Sequence, residues 1–251
     1  MLPRTNLHSS KLIRCLADLS IADVVDPGNA FAEKLGQWIH FADAITLSAV
    51  HNDKVESPHA GKARSQCASS SAIHVEFVHI RSVMVKSIMK TCSPRPGTAF
   101  MQLPAPQPTL PMDFSAAYAP YRRFYEVHQR DMDLSVQPLR IRVREAVAKA
   151  SPTLKKLADL DATLERILRD RESKLLARVP VLLRKRFEQL FIEHQQKLAE
   201  VQMPDKPADW TQAGGWLARF CNDMQMLLLA EADLRLQPAI GLMEALKKET
   251  Q

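Results

Sequence analysis

Basic side chains that could bind a polyanion are concentrated between Arg166 and Arg186. That stretch holds eight arginines and lysines against two acids, an excess of six, which equals the formal net charge of +6 of the 251-residue chain. Cations along a helix can bind phosphates or an acidic protein surface. The candidate binding residues are Arg171, Lys174, Arg178, Arg184, Lys185 and Arg186.

The same segment, 166–186, also fits a solvated helical face. In a continuous helix Arg171, Lys174, Arg178 and Lys185 would share one face, but Pro180 interrupts that helix. Arg184-Lys185-Arg186 are consecutive, so they spread around a helix and do not form one patch. Acids one turn away can neutralise several cations, in the pairs Glu165 with Arg169, Arg166 with Asp170, Asp170 with Lys174, and Arg184 with Glu188. A solvated face and a binding surface for nucleic acid or an acidic partner both stay open.

Histidine, cysteine and glycine spacings do not predict a metal or phosphate site. His74 and His79 are five residues apart, whereas two zinc ligands on one helix need a spacing of four. Close ligand spacing is also absent from the set His51, His59 and Cys67. Gly214-Gly215 follows no strand and precedes no Lys-Ser/Thr pair, both of which a phosphate-binding loop needs. We expect no metal, no cofactor, no catalytic residue and no small-molecule substrate.

Two further groups have structural interpretations that compete with chemistry. Glu231 and Asp233 could supply general acid–base catalysis, but residues two apart on a helix point to different faces. We expect them, with Arg235, to form ion pairs or helix-surface charge. Aromatic residues around Arg122-Arg123 could stack on single-stranded nucleic acid, but their helical spacing favours core and interface. They are Tyr118, Tyr121, Phe124 and Tyr125.

The elements that would position these residues are helices. Apolar residues recur at steps of three and four residues, which is the helical period. One helix is predicted from 113 to 149, capped by Asp113, kinked at Pro138 and about 55 Å long. Ser151-Pro152 begins the next, Pro180 interrupts it, and a last helix begins near 209–211 and is kinked at Pro238. The fold class is therefore all-α, as an elongated antiparallel helical bundle or coiled coil.

Breaks in this pattern predict five regions. Two helices joined by a turn at 26–29, the second spanning 30–50, form a small N-terminal helical hairpin. Polar and proline-rich composition marks flexible or extended linkers. The regions are a hairpin at 1–50, a flexible linker at 51–71, a helix at 72–92, a Pro-rich linker at 93–112 and a long-helix bundle at 113–251.

Composition limits the class of protein. Hydrophobic residues make up 46% of the chain, enough for a core, and only 7 residues are glycine, which disfavours barrels and sandwiches. The four cysteines show no C-x-x-C spacing and fit reduced thiols. We find neither a secretory signal nor an apolar run of about 20 residues that would span a membrane. A cytoplasmic protein is expected.

Four blocks of sequence together resemble a known family. They are Pro3-Arg4-Thr5 with Leu16-Ala17-Asp18-Leu19; Phe31-Ala32-Glu33-Lys34-Leu35 with Gln37-Trp38; Pro138-Leu139-Arg140 with Arg144-Glu145; and Gly214-Gly215-Trp216-Leu217 with Leu228-Leu229-Ala230-Glu231 and Arg235-Leu236-Gln237-Pro238. The chain resembles the proteobacterial family known as domain of unknown function 3348 over nearly its full length. The resemblance carries no catalytic residue or cofactor. It implies a bacterial, cytoplasmic protein, with an accessory role in a multi-protein envelope system because genes of the family often lie beside genes for envelope proteins.

The functional hypothesis follows from strong helical periodicity without a convergent catalytic set. We predict a non-enzymatic interaction or scaffold protein that binds a protein partner or itself as a homo-oligomer. The alternative is a nucleic-acid-binding protein that uses the basic helical segment 166–186, and it predicts affinity that falls steeply with salt.

Overall fold

Helices account for the regular secondary structure of the residues that the structure describes. The computed structural model describes residues 10–21, 36–52, 63–93, 102–106, 112–202 and 204–249, with the backbone alone at 63–70. Within these ranges the chain contains no strand. The predicted all-α class is therefore confirmed. No helix in the described ranges combines the length and the apolar content needed to cross a bilayer.

Seven α-helices are delimited in these ranges. They are α1 (Lys11–Asp18), α2 (Phe41–Asn52), α3 (Ala63–Thr91), α4 (Phe114–Ala150), α5 (Pro152–Leu176), α6 (Val179–Val201) and α7 (Trp216–Glu249). A 3₁₀ turn, Pro207–Asp209, precedes α7. The 37-residue α4 matches the helix predicted from 113 to 149 and is about 55 Å long at 1.5 Å per residue.

Start signals in the sequence set the N-terminal ends of α4, α5 and α6. Asp113 Oδ1 accepts hydrogen bonds from two backbone N–H groups in the first turn of α4, at 2.9 and 3.3 Å. Ser151 Oγ accepts one from the first turn of α5 at 3.2 Å, and Pro152 opens that helix. Pro180 occupies the first turn of α6, where its missing N–H costs no helical hydrogen bond. The predicted interruption at Pro180 is confirmed.

The helix predicted at 30–50 is interrupted within the residues that the structure describes. Residues 36–38 are helical, Ile39 and His40 are not, and α2 begins at Phe41. Glycine at 36 and a β-branched residue at 39 weaken a helix here, and apolar periodicity alone did not reveal the interruption. The N-terminal part of the predicted helix and the turn at 26–29 lie outside the described residues.

Helix α3 begins inside the segment that was predicted to be a flexible linker, 51–71. Its first residue is Ala63, and it continues without a break to Thr91. The Ser-rich stretch 65–71 suggested a linker, but it contains neither glycine nor proline, and serine only mildly disfavours a helix. In the predicted Pro-rich linker, residues 102–106 have no regular secondary structure.

Packing groups the chain into two compact units, each assembled from three segments. Unit 1 comprises Met1–Val25, Met84–Met132 and Leu176–Leu234, and unit 2 comprises Asp26–Val83, Asp133–Leu175 and Arg235–Gln251. Helix α1 therefore belongs to unit 1 and α2 to unit 2. The predicted linear domains, 1–50 through 113–251, stay predictions, because this grouping follows contacts and not independent folding.

An aromatic cluster lies at the core of unit 1. Phe187 on α6 is within 5.2 Å of the rings of Trp216 and Phe220 on α7, measured between centroids and nearly perpendicular. Such edge-to-face pairs each add about 0.5–1.5 kcal/mol beyond the burial of area. The aromatic residues of α4 considered above as stacking groups belong to the buried core and are at most 4% exposed: Tyr118, Tyr121, Phe124 and Tyr125.

Unit 2 buries an aliphatic core. Buried residues of α4 recur at steps of three and four, as the sequence pattern predicts, and α7 supplies a matching row. The α4 residues are Val136, Leu139, Val143 and Val147, and those of α7 are Leu236, Ala239, Leu242 and Leu246. Ile73 and Phe77 of α3 are also buried. Leu154 and Ala158 of α5 are buried as well, and α4 and α5 carry the polar cluster of unit 2.

Candidate functional site

The basic segment 166–186 is divided by the break between α5 and α6. Helix α5 ends at Leu176 and α6 begins at Val179, so the register is not carried across. Arg171 and Lys174 belong to unit 2, whereas the other four candidates belong to unit 1: Arg178, Arg184, Lys185 and Arg186. The six candidates therefore do not lie along one continuous helix.

Arg186 is engaged inside unit 1. Its Nε donates to Asp223 Oδ2 on α7 at 2.8 Å, and the two side chains are 14% and 11% exposed. Removing one partner of such a pair would leave the other charge buried and unpaired. Arg186 therefore fastens α6 to α7 and does not face a ligand.

Arg184 forms one of the four one-turn pairs expected from the sequence. Its Nε lies 2.7 Å from Glu188 Oε1, and both side chains are substantially exposed. Two other members of the expected pairs find partners on different helices: Glu165 pairs with arginines of α4, and Arg166 lies 3.9 Å from Asp43 Oδ1 on α2. The acids near this segment therefore neutralise it less than the sequence pattern predicts.

Four candidate cations have no ion-pair or hydrogen-bond partner among the described residues: Arg171, Lys174, Arg178 and Lys185. Lys174, Arg178 and Lys185 are exposed, and Arg171 is half-buried. A cation without a counter-ion in its own unit can bind an anion without first breaking an internal pair. Lys185 on α6 and Arg178, the N-cap residue of α6, both have this property.

A four-residue ion network joins α4 to α5 in unit 2. Arg140 binds Asp161 with two hydrogen bonds, at 3.0 Å through Nε and 2.6 Å through Nη2. Arg144 pairs with Glu165, and its Nε is 3.7 Å from Asp161 Oδ2. All four side chains are at most 15% exposed, and Glu165 Oε1 is buried without a hydrogen-bond partner. Because charges of both signs balance, the network holds the helices together and leaves no net charge to bind a ligand.

Glu231 is a fully buried carboxylate in unit 1. Tyr125 Oη donates to its Oε2 at 2.9 Å, and Gln129 Nε2 lies 3.0 Å from both of its carboxylate oxygens. Gln129 Nε2 also lies 2.9 Å from the carbonyl oxygen of Leu176, the last residue of α5. The group ties α4 and α7 to the end of α5, since each donor is used within the protein.

The charged neighbours of Glu231 form ion pairs, as expected. Asp233 Oδ2 accepts from Lys11 Nζ on α1 at 3.3 Å, in unit 1. Arg235 pairs with Asp133 of α4, in unit 2. The expectation of structural ion pairs is confirmed for Asp233 and Arg235. For Glu231 the alternative of surface charge is wrong, because its side chain is fully buried and accepts a hydrogen bond from Tyr125.

Asp205 anchors the loop between α6 and α7. It accepts hydrogen bonds from Gln195 Nε2 and Trp210 Nε1, both at 2.7 Å, and lies 3.0 Å from His194 Nε2. Burial acts to raise the pKa of Asp205, but the hydrogen bonds from Trp210, His194 and Gln195 together lower it below its usual value. A carboxylate that is already bound by three groups is suited to holding a loop.

The Gly214-Gly215 pair lies where this loop enters α7. Gly214 has a φ of +86°, and a Cβ on Gly215 would lie 2.3 Å from the carbonyl oxygen of Trp210. That oxygen accepts hydrogen bonds from the N–H groups of Leu217 and Ala218, at 3.1 and 3.0 Å, and so caps α7. Both glycines are required by backbone geometry at the helix start.

Buried thiols and a buried imidazole in unit 1 are unsuited to nucleophilic or base catalysis. Burial raises the pKa of Cys92 to about 11 and that of Cys221 to about 12. Thiols of this kind carry little thiolate at neutral pH. His128 lies 2.9 Å from Thr91 Oγ1 and is nearly fully buried, and burial lowers its pKa.

The described residues contain no group of three or more His, Cys, Asp or Glu side chains that is placed to hold a metal ion. His74 and His79 are exposed on α3, and His51 is exposed at the end of α2. His59 and the side chain of Cys67 lie outside the described residues.

The contacts of three polar clusters were not predicted from the sequence: those of the Arg140 network, the Glu231 group and the Asp205 group. A signal for the first was present, because α4 carries two arginines four residues apart and α5 carries two acids four residues apart. Two successive helices with such complementary steps favour an ion-pair ladder if they pack antiparallel. The contacts of the Glu231 group and the Asp205 group follow no local spacing from which they could be predicted.

Comparison with known protein families gives a match over nearly the whole chain. The family model described as "Protein of unknown function (DUF3348)" matches residues 1–248. No curated protein and no solved structure matches the chain.

Proposed function

We propose that this chain, which belongs to the DUF3348 family, is a non-enzymatic protein-interaction protein. The observation that carries this proposal is helix α2, in unit 2. None of its 12 residues is buried, although seven of them are Phe, Ala, Ile, Leu or Val. An apolar helix is stable in proteins when a partner covers it. A partner protein or a second copy of the chain can supply that cover.

The exposure of α2 is concentrated in two large side chains. Phe41 is 83% exposed and Ile45 is 55% exposed. They lie one turn apart and so share a face. An isolated helix of fewer than about 12–15 residues is marginal in water. Full burial of each of these side chains on association would stabilise a complex by about 1.5–3 kcal/mol.

The buried polar groups support a structural rather than a catalytic use of the fold. Arg140 and Arg144 are paired with acids, Glu231 is held by neutral donors, and Asp205 is held by three. Each cluster joins helices or loops of its own unit. A catalytic site needs a group whose proton or lone pair is free to act on a substrate.

Finer features of the proposal concern assembly and location. We include homo-oligomerisation, a long-helix bundle or coiled coil, and a cytoplasmic accessory role in a bacterial envelope-associated assembly. The family resemblance supports the last, and the apolar surface of α2 supports the first. None of these features adds a requirement for a cofactor.

The test replaces both large side chains of α2. The double variant Phe41→Ser/Ile45→Ser should lose self-association in light scattering, or lose co-purifying proteins in a native pull-down. The matched control is Leu134→Ser/Ile141→Ser on α4, because these side chains are 69% and 49% exposed in the same unit. A wild-type chain that stays monomeric at high concentration and retains no partner in cells would contradict the proposal.

Nucleic-acid binding through segment 166–186 is the second candidate. It is favoured by the exposed cations Lys174, Arg178 and Lys185, which have no partner in the described part of the chain. Binding of this kind weakens steeply as salt rises. Gel retardation of DNA and RNA at low salt tests it, and no retardation would end this candidate.

A further inference from the structure

The outward-facing side of α6 carries a strip of residues at helical spacing. We call it the α6 strip: Arg178, Val181, Lys185, Gln189, Ile192 and Gln196. Steps of three and four residues place them on one face. All six are exposed, and Val181 and Ile192 remain 52% and 48% exposed. The opposite face of α6 is buried in unit 1 through Leu183, Phe187 and Leu190, so the helix is anchored and its outer face is fixed.

The α6 strip carries uncompensated positive charge. It contains two cations and no acid. The nearest carboxylates on α6 are already engaged: Glu188 lies 2.7 Å from Arg184, and Glu193 lies 3.9 Å from Arg219 and accepts a hydrogen bond from the strip residue Gln189 at 3.0 Å. The two α6 cations that are internally paired, Arg184 and Arg186, lie off the strip. The strip therefore carries two exposed cations, Arg178 and Lys185, that have no counter-ion among the described residues.

Apolar side chains alternate with the cations of the strip. Val181 lies between Arg178 and Lys185, and Ile192 follows two turns after Lys185. A phosphate backbone would satisfy the cations but offers no apolar surface to these two side chains. The aromatic groups that could stack on bases are in the core, with Tyr118 and Tyr121 each 3% exposed. The mixture therefore matches a protein surface better than a nucleic acid.

From this charge complementarity we infer that the α6 strip binds an acidic amphipathic helix of a partner protein. Glutamates or aspartates seven residues apart on that helix pair with Arg178 and Lys185, and its apolar residues cover Val181 and Ile192. This is the arrangement by which flanking charges select partners around an apolar seam. The inference rests on the proposed interaction function and names the chemistry of one partner.

The test uses the full-length chain and a defined probe. The probe is a synthetic helical peptide of about three heptads, with Glu spaced seven residues apart and Leu on the same face, and fluorescence anisotropy reports its binding. Wild-type protein should bind it, and Arg178→Glu/Lys185→Glu should weaken binding at least about tenfold. Lys197→Glu on the same helix is the control, because Lys197 is exposed but off the strip. It should weaken binding less than about threefold.

A charge swap and an apolar variant make the test specific. A peptide with Lys in place of Glu should bind Arg178→Glu/Lys185→Glu better than it binds wild type. Val181→Ser/Ile192→Ser should weaken binding of the Glu peptide at both low and high salt, because salt does not screen apolar contacts. Equal binding of the Glu peptide by wild type and the charge-reversed variant would overturn the inference.

Nucleic acid is the competing outcome. Retardation of a single- or double-stranded DNA oligonucleotide that is abolished by Arg178→Glu/Lys185→Glu but unaffected by Val181→Ser/Ile192→Ser would overturn the inference in favour of nucleic-acid binding. Failure of the peptide alone, with native complexes that still depend on Phe41 and Ile45, would reject the α6 strip and leave the proposed function standing. If the peptide does not bind and native complexes do not depend on Phe41 and Ile45 either, the proposed function is rejected as well.

Discussion

Gly215 lies where the backbone leaves no room for a side chain. A Cβ there would meet two backbone oxygens, those of Trp210 and Asp209, at 2.3 and 2.4 Å. Backbone atoms cannot rotate away as a side chain does, so the loop that caps α7 must shift. We expect Gly215→Ala to lower the free energy of unfolding by about 2 kcal/mol or more, measured by urea denaturation.

Gly241 supplies the matched control for that substitution. It lies inside α7, where a Cβ would find no atom within 4 Å, and its φ is not positive. Alanine is the better helix former, so Gly241→Ala should raise stability by about 0.5–1 kcal/mol. Equal effects of the two substitutions would show that helix propensity, and not the close approach at Gly215, decides the outcome.

His128 should make the protein sensitive to acid. Burial lowers its pKa below the usual 6.5, against a smaller raising effect of Asp131. The folded state therefore prefers neutral imidazole, and its contribution is complete above the unfolded pKa. Stability falls as pH drops below about 6.5 and levels off below the folded pKa. Urea unfolding at pH 8 and pH 5.5 should show a smaller loss in His128→Gln, and an identical loss would contradict this assignment.

At the scale of elements, the α4–α5 pair depends on the Arg140 network. Arg140→Ala leaves Asp161 buried without its bidentate partner, and we expect a loss of about 3–5 kcal/mol. The control is Arg122→Ala on the same helix, because Arg122 and Glu126 form an exposed one-turn pair, 54% and 42% exposed. Its cost should be about 0.5 kcal/mol or less.

A second experiment on the network separates the contribution of charge pairing from that of side-chain packing. Arg140→Leu/Asp161→Leu removes one cation and one anion together, so no net charge is stranded. The double variant should be more stable than Arg140→Leu alone, measured by urea unfolding of both. A double variant that is as unstable as the sum of its single variants would mean that Arg140 acts through its packed stem and not through its charge.

Elements set by local chemistry could be predicted from the sequence, and those set by long-range contacts could not. Asp113 and Ser151-Pro152 fix helix starts, and Pro180 interrupts a helix, through their own backbone and side chains, so these predictions followed from residue type. Asp161 lies 21 residues from Arg140, and only the packing of α4 on α5 brings them together. The sequence placed Arg186 among the candidate binding residues, because no local pattern indicates its pairing with Asp223, 37 residues away.

At the scale of the whole chain, each compact unit is built from separated segments. The C-terminal segment Arg235–Gln251 belongs to unit 2, whereas the part of α7 before it belongs to unit 1. Its buried residues are Leu236, Ala239, Leu242 and Leu246. Unit 2 cannot keep its core without them, because removing a buried leucine alone costs about 2–5 kcal/mol.

A chain that ends after Leu234 should therefore lose unit 2 and retain unit 1. Hydrogen exchange should show lost protection at 136–147 of α4 and retained protection at 183–190 of α6. A chain that ends at Glu249 is the control and should exchange like wild type. Protection that survives at 136–147 would show that unit 2 does not depend on the C-terminal segment. Protection that disappears at 183–190 as well would show that stability is shared across the chain. Either result would contradict the division of the core into two units.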